Sequence, residues 1–204
     1  SLGTEQRPQE FWDVVEKWNE RYQKEGKHLA FQQQEINILG GIGSILEFDA
    51  LKQAMNALAG GKYPGLSTKT WIESPEEYQI ILSHLRDNNI IGPEDAASLN
   101  GAFEFLDFVS NLYLRNQLTG ALRRENMETF LSILASERGE ALPSRENIEQ
   151  AMANFYKEFY GHAETTFEIV TRAIPALYQR RYAAGPEQVE TLDDSLVINK
   201  RQGL

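Results

Sequence analysis

A short glycine-rich segment has the residue types and spacing of an anion-binding turn. Gly40, Gly41 and Gly43 stand directly before an amphipathic segment that predicts a helix. A glycine turn at a helix N-terminus presents backbone N–H groups that can bind phosphate. No Lys or Arg occurs at residues 32–51, so the turn lacks the cations that usually complete such a site. The segment therefore predicts an anion- or nucleotide-binding loop that would rely mainly on backbone N–H groups.

Three pairs of adjacent carboxylates are candidates for acid–base chemistry. Two of the pairs lie in the predicted first turns of helices, where the helix dipole stabilises negative charge and explains their presence. We therefore expect no catalytic role for them. The pairs are Glu76-Glu77, Glu94-Asp95 and Asp193-Asp194.

The histidines lack the spacing of a metal site. His28, His84 and His162 are far apart in the sequence. We expect His84 and His162 to be surface or half-buried residues of helices. The sequence also signals no Ser-His-Asp arrangement, so it predicts neither a metal centre nor an autonomous enzyme.

Composition narrows the function classes further. The chain has 204 residues, a formal net charge of −10 and a sequence pI near 4.9, which argues against nucleic acid as the main partner. Cysteine is absent, which excludes disulfides, thiolate metal sites and cysteine nucleophiles. No apolar run approaches the roughly 20 residues of a membrane span, so we expect no membrane partner. These features are typical of a cytoplasmic protein.

The segments that contain most of these candidate residues are predicted to be helices or the turns between them. Apolar residues recur at three- and four-residue steps, and no segment alternates apolar and polar residues as a strand would. The predicted helices are 8–24, 45–59, 74–88, 94–117, 126–137 and a longest one from about 143 to 185. We expect an all-α antiparallel bundle of six or seven helices. The predicted domains are 1–36 (N-terminal helix and linker), 37–185 (helical bundle) and 186–204 (C-terminal tail).

The helix start at Ser74-Pro75 and the aromatic residues of the longest helix lead to more specific predictions. Ser74 and Pro75 form a helix start, where Ser74 would act as N-cap and Glu77 would accept a hydrogen bond from the cap N–H. In the longest helix, one face cannot hold both Phe155 with Phe159 and Tyr156 with Tyr160, so one pair should be buried and the other should lie beside it. The aromatic residues then serve either as core or as an exposed seam that binds a partner.

An ordered series of segments resembles a known family. Gly41, Gly43, Ile45 and Glu47 match positions of that family's loop, and Gly-Gly-Lys-Tyr-Pro-Gly-Leu-Ser-Thr at 60–68 is similar to its connector. Glu-Asp-Ala-Ala at 94–97 and Ala-Phe-Glu-Phe-Leu at 102–106 resemble its next helices. The family is the helical domain that follows the nucleotidyltransferase core in glutamine synthetase adenylyltransferase, with a weaker likeness to PII uridylyltransferase. The likeness covers about two thirds of the chain.

The departures from the family concern charge and catalysis. Leu39 and Leu46 stand where the family has a basic residue and an arginine, and Ser44 replaces a glycine. The catalytic core of such enzymes needs a Gly-Ser turn and, about ten residues later, an Asp-x-Asp pair that holds Mg²⁺. Here Glu47 and Asp49 follow Ser44 too closely, and they begin a helix rather than lie on a strand. We therefore expect no catalytic residue, metal site or cofactor in this chain.

The resemblance implies one function, and the departures suggest another. By resemblance, the chain is a non-catalytic domain that recognises or regulates a protein in nitrogen metabolism. Its partner would be glutamine synthetase, a PII-like protein or a nucleotidyltransferase core outside the chain, and that core would use Mg²⁺ with ATP or UTP. The alternative is a free-standing protein-interaction module that has lost nucleotide binding. The predicted loop residues are Gly41, Gly43, Ser44 and Glu47.

Overall fold

The fold is predominantly helical. The computed structural model describes residues 9–10, 13, 16–17, 20, 35–41 and 43–182. Five helices account for most of these described residues. They are α1 (Leu46–Leu58), α2 (Pro75–Asp87), α3 (Pro93–Arg115), α4 (Arg124–Arg138) and α5 (Ile148–Tyr182).

The predicted helical class is confirmed, and the bounds of the first four helices agree within about two residues. The described positions between 9 and 20 also have helical backbone, with exposed side chains. The apolar stripe predicted there, His28 and the tail 186–204 lie outside the described residues. The count of six or seven helices and the antiparallel arrangement stay predictions.

The expectation that the chain has no strand is wrong in one place. Two short strands, β1 (Glu35–Ile36) and β2 (Leu122–Arg123), pair antiparallel. Ile36 lies opposite Leu122, and both side chains are buried. Strands of two residues are too short to show an alternating pattern, so periodicity could not reveal them.

The start of α5 also differs from its prediction. Pro143 and Ser144 were expected to open the longest helix, but α5 begins at Ile148. The backbone N–H of Ser144 donates to Asn147 Oδ1 at 2.6 Å, and this contact forms a separate turn before the helix. Pro175 lies inside α5.

Helix α5 carries much of the core. It packs against α1, α3 and α4, while α2 packs against α1 and α3. Phe155 and Phe159 are buried in its inward face, and Tyr156 and Tyr160 lie partly buried beside them with stacked rings. This confirms that one aromatic pair is buried and the other flanks it.

Candidate functional site

The glycine turn uses its own N–H groups inside the protein. Gly41 N–H donates to Asn37 O at 3.2 Å, and Gly40 N–H donates to the Asn37 side chain at 3.0 Å. Gly43 N–H donates to the carboxylate of Glu47 at 3.1 Å. Ser44 N–H donates to Gly41 O at 3.2 Å. These described N–H groups therefore already have acceptors.

The four predicted loop residues do come together, but most of them face inward. Gly43, Ser44 and Glu47 are buried and Gly41 is partly exposed. The Glu47 side chain is fully buried and accepts a hydrogen bond at the place where a bound anion would accept one. An external phosphate would have to displace this carboxylate, so the geometry favours a turn that is satisfied within the protein.

The packing around Gly43 explains why this residue is a glycine. Its φ is +73°, and a Cβ built there would lie 2.0 Å from the backbone oxygen of Ala163 in α5. Only glycine combines this left-handed conformation with such close contact. The turn thus allows the N-terminus of α1 to approach the backbone of α5.

A second group of residues forms an unexpected polar contact. One side of α1 carries residues at helical spacing that bind the backbone of the loop 59–74. Asp49 accepts from Ile72 N–H at 2.9 Å, and Asn56 binds both Ser67 O and Tyr63 N–H, each at 2.8 Å. The loop is therefore fixed along its length by side chains of a helix.

Lys52 lies at the centre of this contact. Its side chain is fully buried, and its ammonium donates to Glu77 Oε2 at 2.8 Å, to Ser67 Oγ at 2.8 Å and to Trp71 O at 2.5 Å. These are the three hydrogen bonds that an ammonium can donate. Lys52 thus ties α1, the loop and α2 together.

Glu77 does not complete the predicted capping box. Ser74 Oγ accepts from Glu77 N–H as expected, but the Glu77 carboxylate accepts from the N–H groups of Glu73 and Ser67 at 2.7 and 2.6 Å. The nearby ammonium of Lys52 draws the side chain away from the cap N–H. Burial raises the pKa of Glu77, but these hydrogen bonds outweigh it and lower the pKa to about 2.

The outer surface of the fixed loop is aromatic and basic. Trp71 is 52% exposed although its backbone oxygen is bound by a buried lysine. The ammonium of Lys69 lies 5.2 Å from the centre of the Trp71 ring and 2.9 Å from Glu73. Lys62 is also exposed. The loop surface therefore combines one indole ring with two cations.

The described histidines behave as predicted. His84 and His162 are both partly buried. Tyr63 Oη lies 2.8 Å from His84 Nδ1, and His162 stacks on Phe105. Burial lowers the pKa of each imidazole. Across the described ranges no group of His, Cys, Asp or Glu side chains could hold a metal ion, and no helix is both long and apolar enough to cross a bilayer.

Sequence reasoning missed Lys52, Asn56 and Trp71. The available signal was a run of polar residues on one side of α1, at positions 49, 52, 53 and 56, where a solvated face is the usual explanation. A tryptophan in a turn-rich loop, shortly after Lys69, was a second signal.

Comparison with known proteins identifies no family for this chain. No protein-family model, no curated protein and no solved structure matches it. The likeness to the helical domain of glutamine synthetase adenylyltransferase rests on the sequence segments alone, and it stays a prediction.

Proposed function

We propose that the chain is a non-catalytic helical module that recognises a protein partner through the loop 59–74. The observation that carries this proposal is the exposure of Trp71 on a loop whose backbone is fixed by the buried Lys52. A fixed loop loses little conformational freedom when it binds. An exposed tryptophan on such a loop is a typical anchor of a protein interface.

The charge of the loop indicates the kind of partner. The whole chain has a net charge of −10, whereas the loop presents Lys69, which is paired with Glu73, beside Trp71 and also exposes Lys62. An acidic segment of a partner protein would complement these cations and avoid repulsion from the rest of the surface. We therefore propose an acidic segment with an apolar side chain as the element recognised.

The sequence resemblance suggests which proteins to test first. In the adenylyltransferase-like reading, the module recognises glutamine synthetase or a PII-like protein and supports nucleotidyl transfer by a core outside this chain. In the alternative reading, it is a free-standing interaction module. The hydrogen bond from Gly43 N–H to Glu47 favours the alternative, because it leaves less of the glycine turn for nucleotide. Both functional interpretations include the proposed antiparallel helical bundle.

Biolayer interferometry with purified glutamine synthetase and a PII protein tests the proposal. The Trp71→Ala variant should weaken binding by at least about tenfold, because an anchor ring at the centre of an interface is removed. A variant with Lys62→Gln and Lys69→Gln should bind more slowly and lose salt dependence. The matched control is Leu142→Ala, another exposed apolar residue, at 62% exposure, which should bind as the unaltered chain does.

Equal binding by the Trp71→Ala and Leu142→Ala variants would overturn the proposal, because it would remove the loop from the interface. No binding of either protein up to about 100 µM, which is weaker than typical transient complexes, would overturn the adenylyltransferase-like reading and favour the free-standing module.

A further inference from the structure

The sequence after α5 contains the chemistry that the proposed loop would recognise. Residues 187–198, which we call the acidic segment, hold four carboxylates, five aliphatic side chains and no Lys or Arg. The carboxylates are Glu187, Glu190, Asp193 and Asp194, and the aliphatic residues are Val189, Leu192, Leu196, Val197 and Ile198. The chain therefore carries its own acidic segment with apolar side chains.

Negative charge is absent from the sequence around the loop 59–74. Residues 50–72 contain no Asp or Glu, although the whole chain has 30 of them. Trp71 is 52% exposed, and the Lys69 ammonium lies 5.2 Å from the centre of its ring. Lys69 also pairs with Glu73, but both side chains are accessible to solvent, and such a pair contributes little. An ammonium has three N–H donors, so a second carboxylate can share it.

The loop lies within reach of the residues that follow α5. Tyr63 Oη of the loop is 2.8 Å from His84 Nδ1 in the last turn of α2. Asp95, in the first turn of the next helix, is 3.1 Å from the guanidinium of Arg172 in the last third of α5. Residues 183–192 would span up to about 33 Å when extended, against about 20 Å for the whole of α1. The acidic segment can thus reach the loop without any movement of the helices.

We propose that the acidic segment binds the surface of the loop 59–74 within the same chain. The ammonium groups of Lys62 and Lys69 donate to its carboxylates, and its aliphatic side chains cover the indole ring of Trp71. The segment then occupies the surface that a partner protein needs, so its role as a competitor rests on the proposed function. A partner binds only the fraction of molecules whose loop is free.

Weak binding is enough for this competition. A tethered segment meets its site at an effective concentration of about 1 mM. A segment with a dissociation constant of about 0.1–1 mM would then occupy the loop in about half to nine-tenths of the molecules. Loss of the contact should therefore raise the affinity for a partner about two- to tenfold.

Fluorine NMR of the full chain labelled with 5-fluorotryptophan tests the contact. The resonance of Trp71 is identified by its loss in Trp71→Phe. A neutral-tail variant carries Glu187→Gln, Glu190→Gln, Asp193→Asn and Asp194→Asn. In this variant we expect the Trp71 resonance to move, and its isotope shift between H₂O and D₂O, which measures contact of the ring with solvent, to increase. The matched control carries Lys200→Gln and Arg201→Gln, which change two charges outside the acidic segment and should not increase the isotope shift.

A synthetic peptide with the sequence of residues 186–199 separates contact with the loop from other effects of the substitutions. Added to the neutral-tail variant, it should return the Trp71 resonance to its position in the unaltered chain, with half-saturation at about 0.1–1 mM. The same peptide with the four amide replacements should not. In the interferometry assay the neutral-tail variant should bind a partner about two- to tenfold more tightly than the unaltered chain.

An identical Trp71 resonance and isotope shift in the unaltered chain and the neutral-tail variant would overturn the proposal. So would the lack of any peptide effect up to about 10 mM, far above the expected dissociation constant. The fluorine measurement needs no partner protein. It therefore distinguishes failure of the tail contact, in which Trp71→Ala still weakens partner binding, from failure of the proposed function, in which the resonance responds but Trp71→Ala leaves partner binding unchanged.

Discussion

Lys52 of α1 and Glu77 of α2 form a buried ion pair, with Lys52 Nζ 2.8 Å from Glu77 Oε2. Both side chains are almost wholly removed from solvent. Each is also hydrogen-bonded to the loop between their helices. A buried pair is stable only when its remaining donors and acceptors are satisfied, and the loop 59–74 supplies those groups. The pair and the loop therefore depend on each other.

Replacing Lys52 should destabilise the protein strongly. In Lys52→Met the Glu77 carboxylate stays buried without its cation, which costs about 3–5 kcal/mol in the free energy of unfolding. Urea denaturation followed by circular dichroism measures the loss. The control is Lys69→Met, which breaks the exposed Lys69–Glu73 pair and should cost at most about 1 kcal/mol. Similar losses in the two variants would contradict the role of Lys52.

The stability of the fold should fall in acid because of Glu77. Its pKa lies at about 2 in the folded state against an ordinary value of 4.5, so the folded state favours the ionised carboxylate. The resulting stabilisation, about 3 kcal/mol, is fully present above pH 4.5. It is lost as the pH falls from 4.5 towards 2. Urea denaturation across this range, with Glu77→Gln beside the unaltered chain, measures it.

The comparison with Glu77→Gln isolates this one carboxylate from the others that titrate in acid. The unaltered chain should be the more stable of the two near neutral pH, and the difference should shrink as the pH approaches 2. A constant difference across the range would mean that the ionised form of Glu77 contributes nothing.

Gly43→Ala should destabilise the protein more than a glycine replacement in an open turn. The new Cβ would lie 2.0 Å from the oxygen of Ala163, so α1 and α5 would have to separate locally. Gly60→Ala is the control, since Gly60 also has a positive φ, +82°, but no atom within 4 Å of the Cβ position. The control should lose about 1–2 kcal/mol, and Gly43→Ala about 1–3 kcal/mol more. Thermal unfolding compares them, and equal losses would mean that the contact with α5 is unimportant.

ATP and UTP should not bind measurably to the glycine turn. The N–H groups of Gly40, Gly41 and Gly43 already have acceptors in the protein, and the turn has no cation at residues 32–51. Isothermal titration with and without Mg²⁺ should give no heat up to millimolar nucleotide. Micromolar binding that is lost in Gly41→Val would restore the nucleotide-binding interpretation.

The sequence predicted the features that depend on neighbouring residues. The apolar period of each helix and the start of α2 at Ser74-Pro75 follow from local preferences. The contact between Glu77 and Lys52 does not follow from local preferences, because Lys52 lies 25 residues away and competes with the local capping geometry. The role of Gly43 depends on the backbone of Ala163 in another helix, and a glycine in a turn gives no sign of which element will approach it.

The position of α5 in the sequence has a consequence for folding during synthesis. This helix packs against α1, α3 and α4, yet it leaves the ribosome after all of them. Until it emerges, the apolar faces that it covers, with Phe105 and Phe130 among them, remain without their final partner. The nascent chain therefore passes through an incomplete core that is prone to association with other chains and is the state a chaperone would bind.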